Sequence, residues 1–168
     1  MDAVTYRRAR PDDWDAVMGV FETANFHHVP SAEMPSFDLS CCFVAELDGA
    51  IAGAAGYGRM PDGRGKTTLM AVKPGQRGLL IGQRLQELRM LAMRDAGCRV
   101  VVTNADLPET IAWYKRKFGY REVGRLAKLH AFGAADRDHW TTLEADIEHW
   151  HRHLYEGDAE LEAVLKRG

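Results

Sequence analysis

The strongest helical period in the chain begins at Ile81. Ile81, Leu85, Leu88 and Leu91 fall on one face, as in a helix with one side buried. Directly before it runs a β-rich segment, Lys66 to Val72, broken by Pro74 and Gly75. Between the two lies a turn of glycine and polar residues, Gln76 to Gly82. Earlier, Val4 to Ala9 reads as a strand. Pro11-Asp12-Asp13 then starts a helix with Trp14, Val17, Met18 and Phe21 on one face. Asn25 to Ser40 is irregular and is the longest candidate loop. Asp48-Gly49 predicts a tight hairpin between strands Cys42–Leu47 and Ala50–Arg59, and Pro61-Asp62-Gly63 turns the chain back. Gly97 ends the long helix. A strand, Arg99 to Asn104, is followed by a shorter helix that opens at Pro108 and stops at Gly119. Two last strands, Tyr120 to Phe132 and Trp140 to Ile147, are separated by Gly133-Ala134-Ala135-Asp136.

This order, β-α-loop-β-β-β-α-β-α-β-β, predicts one α/β domain over residues 1–147. Its central mixed sheet is flanked by helices, and a parallel β-α-β unit surrounds the long helix. Residues 148–168 form an extra C-terminal helical tail, interrupted at Gly157-Asp158. Trp150, Leu154, Leu161 and Leu165 suit docking, either on the domain or on a second subunit of a homodimer.

Composition narrows the function classes. A chain of 168 residues fits one domain. Net charge is −2 with both signs interspersed, so no basic tract points to a nucleic-acid partner. No apolar run is long enough to span a membrane, and the first residues lack an apolar signal core. A cytoplasmic location is expected. Cys41, Cys42 and Cys98 are odd in number and lack metal spacing, and Cys98 reads as a small buried apolar residue. His149 and His153 stand four apart, but no third ligand is tied to them by pattern. A solvated helix face is expected there, and no metal.

The glycine turn carries the chemistry. A strand that leads through glycines into a helix start suits an anion, because the first helical N–H groups are unpaired and the helix dipole is positive there. Gly78 and Gly82 allow close approach to the main chain, and Lys73 and Arg77 add charge. No Gly-Lys-Ser/Thr follows, and the spacing G-x-G-x-x-G is absent, so Walker and Rossmann loops are both excluded.

The stretch resembles motif A of the GNAT N-acetyltransferase superfamily, V-x-P-x-x-R-G-x-G-I-G-x-x-L. Val72, Pro74, Arg77, Gly78, Ile81, Gly82 and Leu85 match it. Leu80 stands where the family has glycine, and fits there if its φ is negative and its side chain turns away from the ligand. Downstream, L-P-E-T-I-A-W-Y-K-R-K-F-G-Y is similar to the family pattern N-x-x-A-x-x-L-Y-x-K-x-G-F. Tyr114, Lys115, Lys117, Gly119 and Tyr120 are recognisable, with Phe118 as an extra residue before the glycine. Leu107 and Thr110 depart from the family's asparagine and alanine, and Asn104 stands in for the polar contact.

The resemblance spans roughly residues 4–147. It implies a GNAT-like fold and an acetyl-CoA-dependent N-acetyltransferase that acts on a primary amine. It also implies cofactor contacts at Ala71, Val72, Lys73, Arg77, Gly78, Leu80, Ile81, Gly82, Gln83 and Asn104. The cofactor arm would lie between two splayed strands and bond mostly to main chain. Tyr114 is the implied general acid, since a phenol can hand a proton to the departing thiolate. Read from spacing alone, Tyr114 is equally a core residue on the face of Ile111 and Phe118. Glu46, Glu33, Asp38, His27 and His28 are open candidates for a base, and none is singled out. A small-molecule amine, a protein N-terminus or lysine, and a non-catalytic acyl-CoA-binding module all remain as readings.

Overall fold

Asp48 and Gly49 both take positive φ, 53° and 77°, which is the twist a two-residue hairpin needs. They join β2 (Cys42–Leu47) to β3 (Ala50–Arg59). The structure is a computed structural model and describes residues 3–27, 36–76 and 80–167. Seven strands form one sheet in the order β1-β2-β3-β4-β5-β7-β6. β1 (Thr5–Arg8), β2, β3 and β4 (Gly65–Val72) pair antiparallel in sequence. β5 (Val100–Ala105) then runs parallel to β4, as a strand–helix–strand crossover requires. β7 (His139–Asp146) lies antiparallel to β5, and β6 (Arg121–Ala127) closes the edge.

The alternation of β2 sorts the core into two layers. Phe43, Ala45 and Leu47 face one side, where they meet Leu85, Leu88 and Leu91 of α2 (Ile81–Asp95) and Tyr114 and Phe118 of α3 (Pro108–Phe118). Cys42 and Val44 face the other side, with Val17, Val20 and Phe21 of α1 (Trp14–Glu22). Cys98 is buried in the first layer, as its sequence context implied. Cys42 is buried too, and that burial pushes its thiol up to about 12.

Two strand ends differ from the sequence expectation with a side-chain cause, and other strand ends shift by a single residue. β6 stops at Ala127 rather than Phe132, because residues 128–138 fold back as a loop held by the Lys128 side chain. β7 ends at Asp146, whose carboxylate accepts the N–H of His149 at 2.9 Å. That cap starts α4 (Ile147–His153), so Ile147 is helical rather than the end of a strand.

The C-terminal segment docks on its own domain. Trp150 of α4, with Leu161 and Val164 of α5 (Ala159–Lys166), is buried in the α2 layer. Asp158 caps α5 through the N–H groups of Glu160 and Leu161, and pairs with Arg84 of α2. Arg94 meets Glu148 at 2.8 Å. The rings of His149 and His153 lie 4.7 Å apart on α4. No helix among the described residues is long and apolar enough to cross a membrane.

Candidate active site

β4 and β5 pair only at Gly65–Val101 and Lys66–Val102. Beyond that point both strands continue, β4 to Val72 and β5 to Ala105, without pairing to each other. On its other side β4 carries a bulge. Ala55 pairs with Met70 and Tyr57 with Thr67, so Thr68 and Leu69 together face Gly56. A bulge bends its strand and disturbs the ladder locally. The outcome is a wedge at the centre of the sheet, lined by main-chain groups that the ladder leaves free. At its apex the hydroxyls of Thr67 and Thr103 hydrogen-bond across the two strands.

The mouth of the wedge meets the start of α2. Leu80 is the N-cap and adopts φ 59°, ψ 18°, the left-handed region. This corrects the expectation of a negative φ. The backbone keeps the conformation that a glycine serves best, and leucine bears the strain. Its side chain is 56% exposed, so it does turn outward. Left-handed backbone costs a non-glycine residue roughly 1–2 kcal/mol. Leu80→Gly should therefore raise stability by about 1 kcal/mol, a Tm gain of about 2–4 °C, because little packing is lost. A thermal melt of the two proteins checks this, and an unchanged or lowered Tm would contradict it. Gly82, the second residue of the helix, is explained by no neighbour among the described residues. A Cβ there would meet only the Val72 Cγ2, at 3.9 Å.

Behind the wedge, α2 and α3 bury a polar network. Arg89 is only 1% exposed. It donates from Nη1 to the Gly56 carbonyl (3.1 Å). From Nη2 it donates to the Gln86 Oε1 and to the Tyr114 hydroxyl (3.3 Å). The same Nη2 lies 3.4 Å from the Met70 sulfur on the unpaired part of β4. Gln86 in turn donates to the Tyr120 hydroxyl at 3.0 Å. Burial drives the Tyr120 hydroxyl far above the ordinary phenol range.

Lys66, at the last paired step, is also buried and donates to the Thr67 carbonyl at 3.0 Å. Desolvation, with the nearby Arg89 charge, pushes its amine down to about 8. A folded-state pKa below the ordinary lysine value means that the unfolded chain binds more protons in between. Stability relative to Lys66→Met should therefore rise with pH from about 8 towards 10. Denaturant midpoints of both proteins at about pH 7 and pH 9.5 test this. A constant difference between them would refute it.

The tyrosine of the second motif lies on the inward face of α3. Tyr114 is 5% exposed, among Trp113, Phe118 and Tyr120. Counted back from Gly119, the uninterrupted family pattern would put tyrosine at position 115. Lys115 stands there instead, exposed and paired with Glu122 at 2.8 Å. The extra residue thus shifts the phenol to the buried side.

The other residues singled out in the sequence spread around the wedge. Val72 and Ala71 end β4, and Ala71 is buried against the α1 layer. Lys73 is exposed, with its N–H bonded to the Ala52 carbonyl. Ile81 is a core residue, so only its main chain can serve a ligand, while Gln83 is half-buried. Asn104 accepts a hydrogen bond from Thr142 through Oδ1, at 2.8 Å. Arg77, Gly78, His28 and Glu33 lie outside the described residues. Among the base candidates, Glu46 pairs with Arg7, Asp38 caps the turn at Ser40, and the His27 ring packs on Phe132.

Sequence reasoning missed Arg89, Gln86 and Lys66. The signal for Arg89 was its place four residues after Leu85, on the buried face of α2.

A wall closes the end of β5. Asn25 donates from Nδ2 to the carbonyls of Ala131 (2.7 Å) and Gly133 (3.1 Å), and the Gly133 N–H returns to the Asn25 carbonyl at 3.1 Å. The end of α1 and the β6–β7 loop are thereby joined. Phe26 stacks on Trp140, while His27 and His130 pack against Phe132.

Residues 38–122 match the family model described as an acetyltransferase (GNAT) domain. The chain belongs to the GNAT acetyltransferase family. It is thus an acetyl-CoA-dependent N-acetyltransferase, with acetyl-CoA as cosubstrate. None of the functionally curated proteins matches it in sequence. Solved structures share the fold at low identity. The ribosomal-protein-S18-alanine N-acetyltransferase of Escherichia coli superposes with a TM-score of 0.67 at 15% identity, over 88% of this chain and 94% of its own. The polyamine N-acetyltransferase of Drosophila melanogaster gives 0.63 at 16%, over 86% and 100%. YncA of Salmonella typhimurium, solved with its cofactor acetyl-CoA, gives 0.66 at 16%, over 94% and 99%.

The site fits such a cosubstrate on two observations. The wedge offers main-chain groups that the β4–β5 ladder leaves out of strand pairing to an amide-bearing arm. Gly82 leaves space that no atom of the described residues uses, at a helix start suited to an anion. Gly82→Val should leave the fold intact and weaken CoA binding about tenfold or more, since a branched side chain would fill that space. Calorimetry with CoA checks the affinity, and wild-type binding by Gly82→Val would remove the phosphate site from α2.

Proposed function

We propose that the protein moves an acetyl group from acetyl-CoA to the primary amine of a small molecule. In this reading the pantetheine arm lies in the β4–β5 wedge, bonded to main chain along Ala71 and Val72, with Asn104 on the facing strand. Lys73, whose N–H already bonds the Ala52 carbonyl, offers its exposed ammonium. The pyrophosphate meets the start of α2 at Leu80, Ile81, Gly82 and Gln83, with Arg77 and Gly78 in the preceding turn. The wedge itself, open beyond Lys66–Val102, is the observation that carries the cosubstrate assignment.

The acceptor amine attacks the acetyl carbon, the C–S bond breaks, and the electron pair leaves on sulfur. Tyr114 gives its hydroxyl proton to that sulfur, and the amine's surplus proton passes to water. A small acceptor is favoured by the wall that Asn25, Phe26, Phe132 and Trp140 build at the end of β5. With the β6–β7 loop tied to α1, that side is walled rather than open to an extended chain.

The test is thiol release from acetyl-CoA, compared across small primary amines and across peptides with a free N-terminus or lysine. Release with small amines is expected. Release with peptides alone would replace this acceptor class by a protein one.

A further inference from the structure

Arg89 is a buried guanidinium without a carboxylate among the described residues. The ion pairs among the described residues use Arg7, Arg64, Arg84, Arg94, Lys115, Lys128 and His139, but not Arg89. Its partners are all neutral: a carbonyl, an amide oxygen, a phenol and a thioether. Its Nε has no partner. A buried cation held only by neutral partners is costly, and its field favours any negative charge that forms beside it.

A guanidinium can only donate, and this fixes the sense of every bond in the network. Gln86 must turn its oxygen to Arg89, and its NH₂ then goes to Tyr120. Tyr114 can only accept from Arg89, so its own proton points elsewhere. Among the described residues no group accepts that proton. The contact of the same Nη2 with Met70 places this hydroxyl one guanidinium away from the unpaired stretch of β4.

We propose that Arg89 is the positioning residue for Tyr114. It holds the hydroxyl as a donor aimed at the wedge and carries the counter-charge for the phenolate that remains once the proton has moved to sulfur. This rests on Tyr114 acting as the acid in the proposed reaction. The balance is complete. The O–H bond breaks, the S–H bond forms, the phenolate stays beside Arg89, and water returns a proton before the next turnover.

The experiment compares Arg89→Met, Tyr114→Phe, the double variant and Arg89→Lys, with acyl donors of graded thiol acidity. Arg89→Met should lower kcat by about the same factor as Tyr114→Phe, roughly 10- to 100-fold. The double variant should be little slower than Tyr114→Phe alone, because both changes remove one unit. Arg89→Lys should recover part of the loss. All of these losses should shrink as the donor thiol becomes more acidic.

A merely structural arginine would give a loss that multiplies with Tyr114→Phe and is the same for every donor, and that result overturns the proposal. Should Arg89→Met fail to fold, Arg89→Lys takes its place in the same comparison. Wild-type kcat in Tyr114→Phe would remove the acid role itself. A slow, thiol-sensitive Tyr114→Phe beside an independent Arg89 effect would remove only the positioning role.

Discussion

Tyr114→Phe is expected to lower kcat roughly 10- to 100-fold while CoA affinity stays near wild type. The change deletes one hydroxyl from a ring packed among Trp113, Phe118 and Tyr120, so the ring contacts survive. In the proposed mechanism, what is lost is the proton offered to the leaving sulfur. General acids typically supply ~10²–10⁴-fold. A thiol leaves readily on its own, with an ordinary pKa near ~8.5, so the effect should sit at or below the lower end of that range. The loss should fade with a donor whose thiol is more acidic. Removing the hydroxyl also strips Arg89 of one of its few partners, so a modest loss of stability should accompany the kinetic one. Wild-type kcat, measured where chemistry limits the rate, would leave Tyr114 as a packing residue only.

The positions legible in the sequence were those governed by local chemistry. Asp48-Gly49 dictated its hairpin because both residues tolerate positive φ. The apolar period from Ile81 dictated α2, because one face had to be buried. The glycine turn with its downstream tyrosine was legible as a family pattern. Leu80 was misread in φ because a residue name does not show that the turn keeps a glycine-like backbone when glycine is gone.

Features made by distant parts of the chain were not legible. The polar network needs Arg89 and Gln86 of α2 to meet Tyr114 and Tyr120, 25 and 34 residues on. An arginine inside an apolar face gives no sign of whether it snorkels to water or stays buried. The end of β6 was set too late for the same reason. Nothing in the run Arg125 to Phe132 marks Lys128 as a residue that reaches across to β5's end.

That lysine carries the other large effect. Lys128→Met should destabilise the protein by roughly 3–5 kcal/mol, the loss expected when one partner of a buried ion pair is removed. The Lys128 side chain is 5% exposed and that of its partner Asp106 is 10% exposed. All three ammonium protons have acceptors: the Asp106 Oδ2 (3.0 Å) and the carbonyls of Phe132 (2.8 Å) and Ala134 (2.9 Å). The cation also lies 4.4 Å from the centre of the Trp140 ring. Asp106 binds the loop a second time through the Ala134 N–H at 2.8 Å.

Methionine keeps the length of the stem but leaves Asp106 as a buried carboxylate without its cation, and two carbonyls without a donor. The expected signature is a lower urea midpoint at an unchanged slope, and a Tm lower by roughly 6–20 °C. Adding Asp106→Leu to Lys128→Met should recover part of the loss, because the stranded charge goes with it. Since the same loop is tied to Asn25, the acceptor KM should rise in Lys128→Met while CoA affinity holds. A loss below about 1 kcal/mol would place the pair among ordinary surface contacts and detach the wall from the stability of the domain.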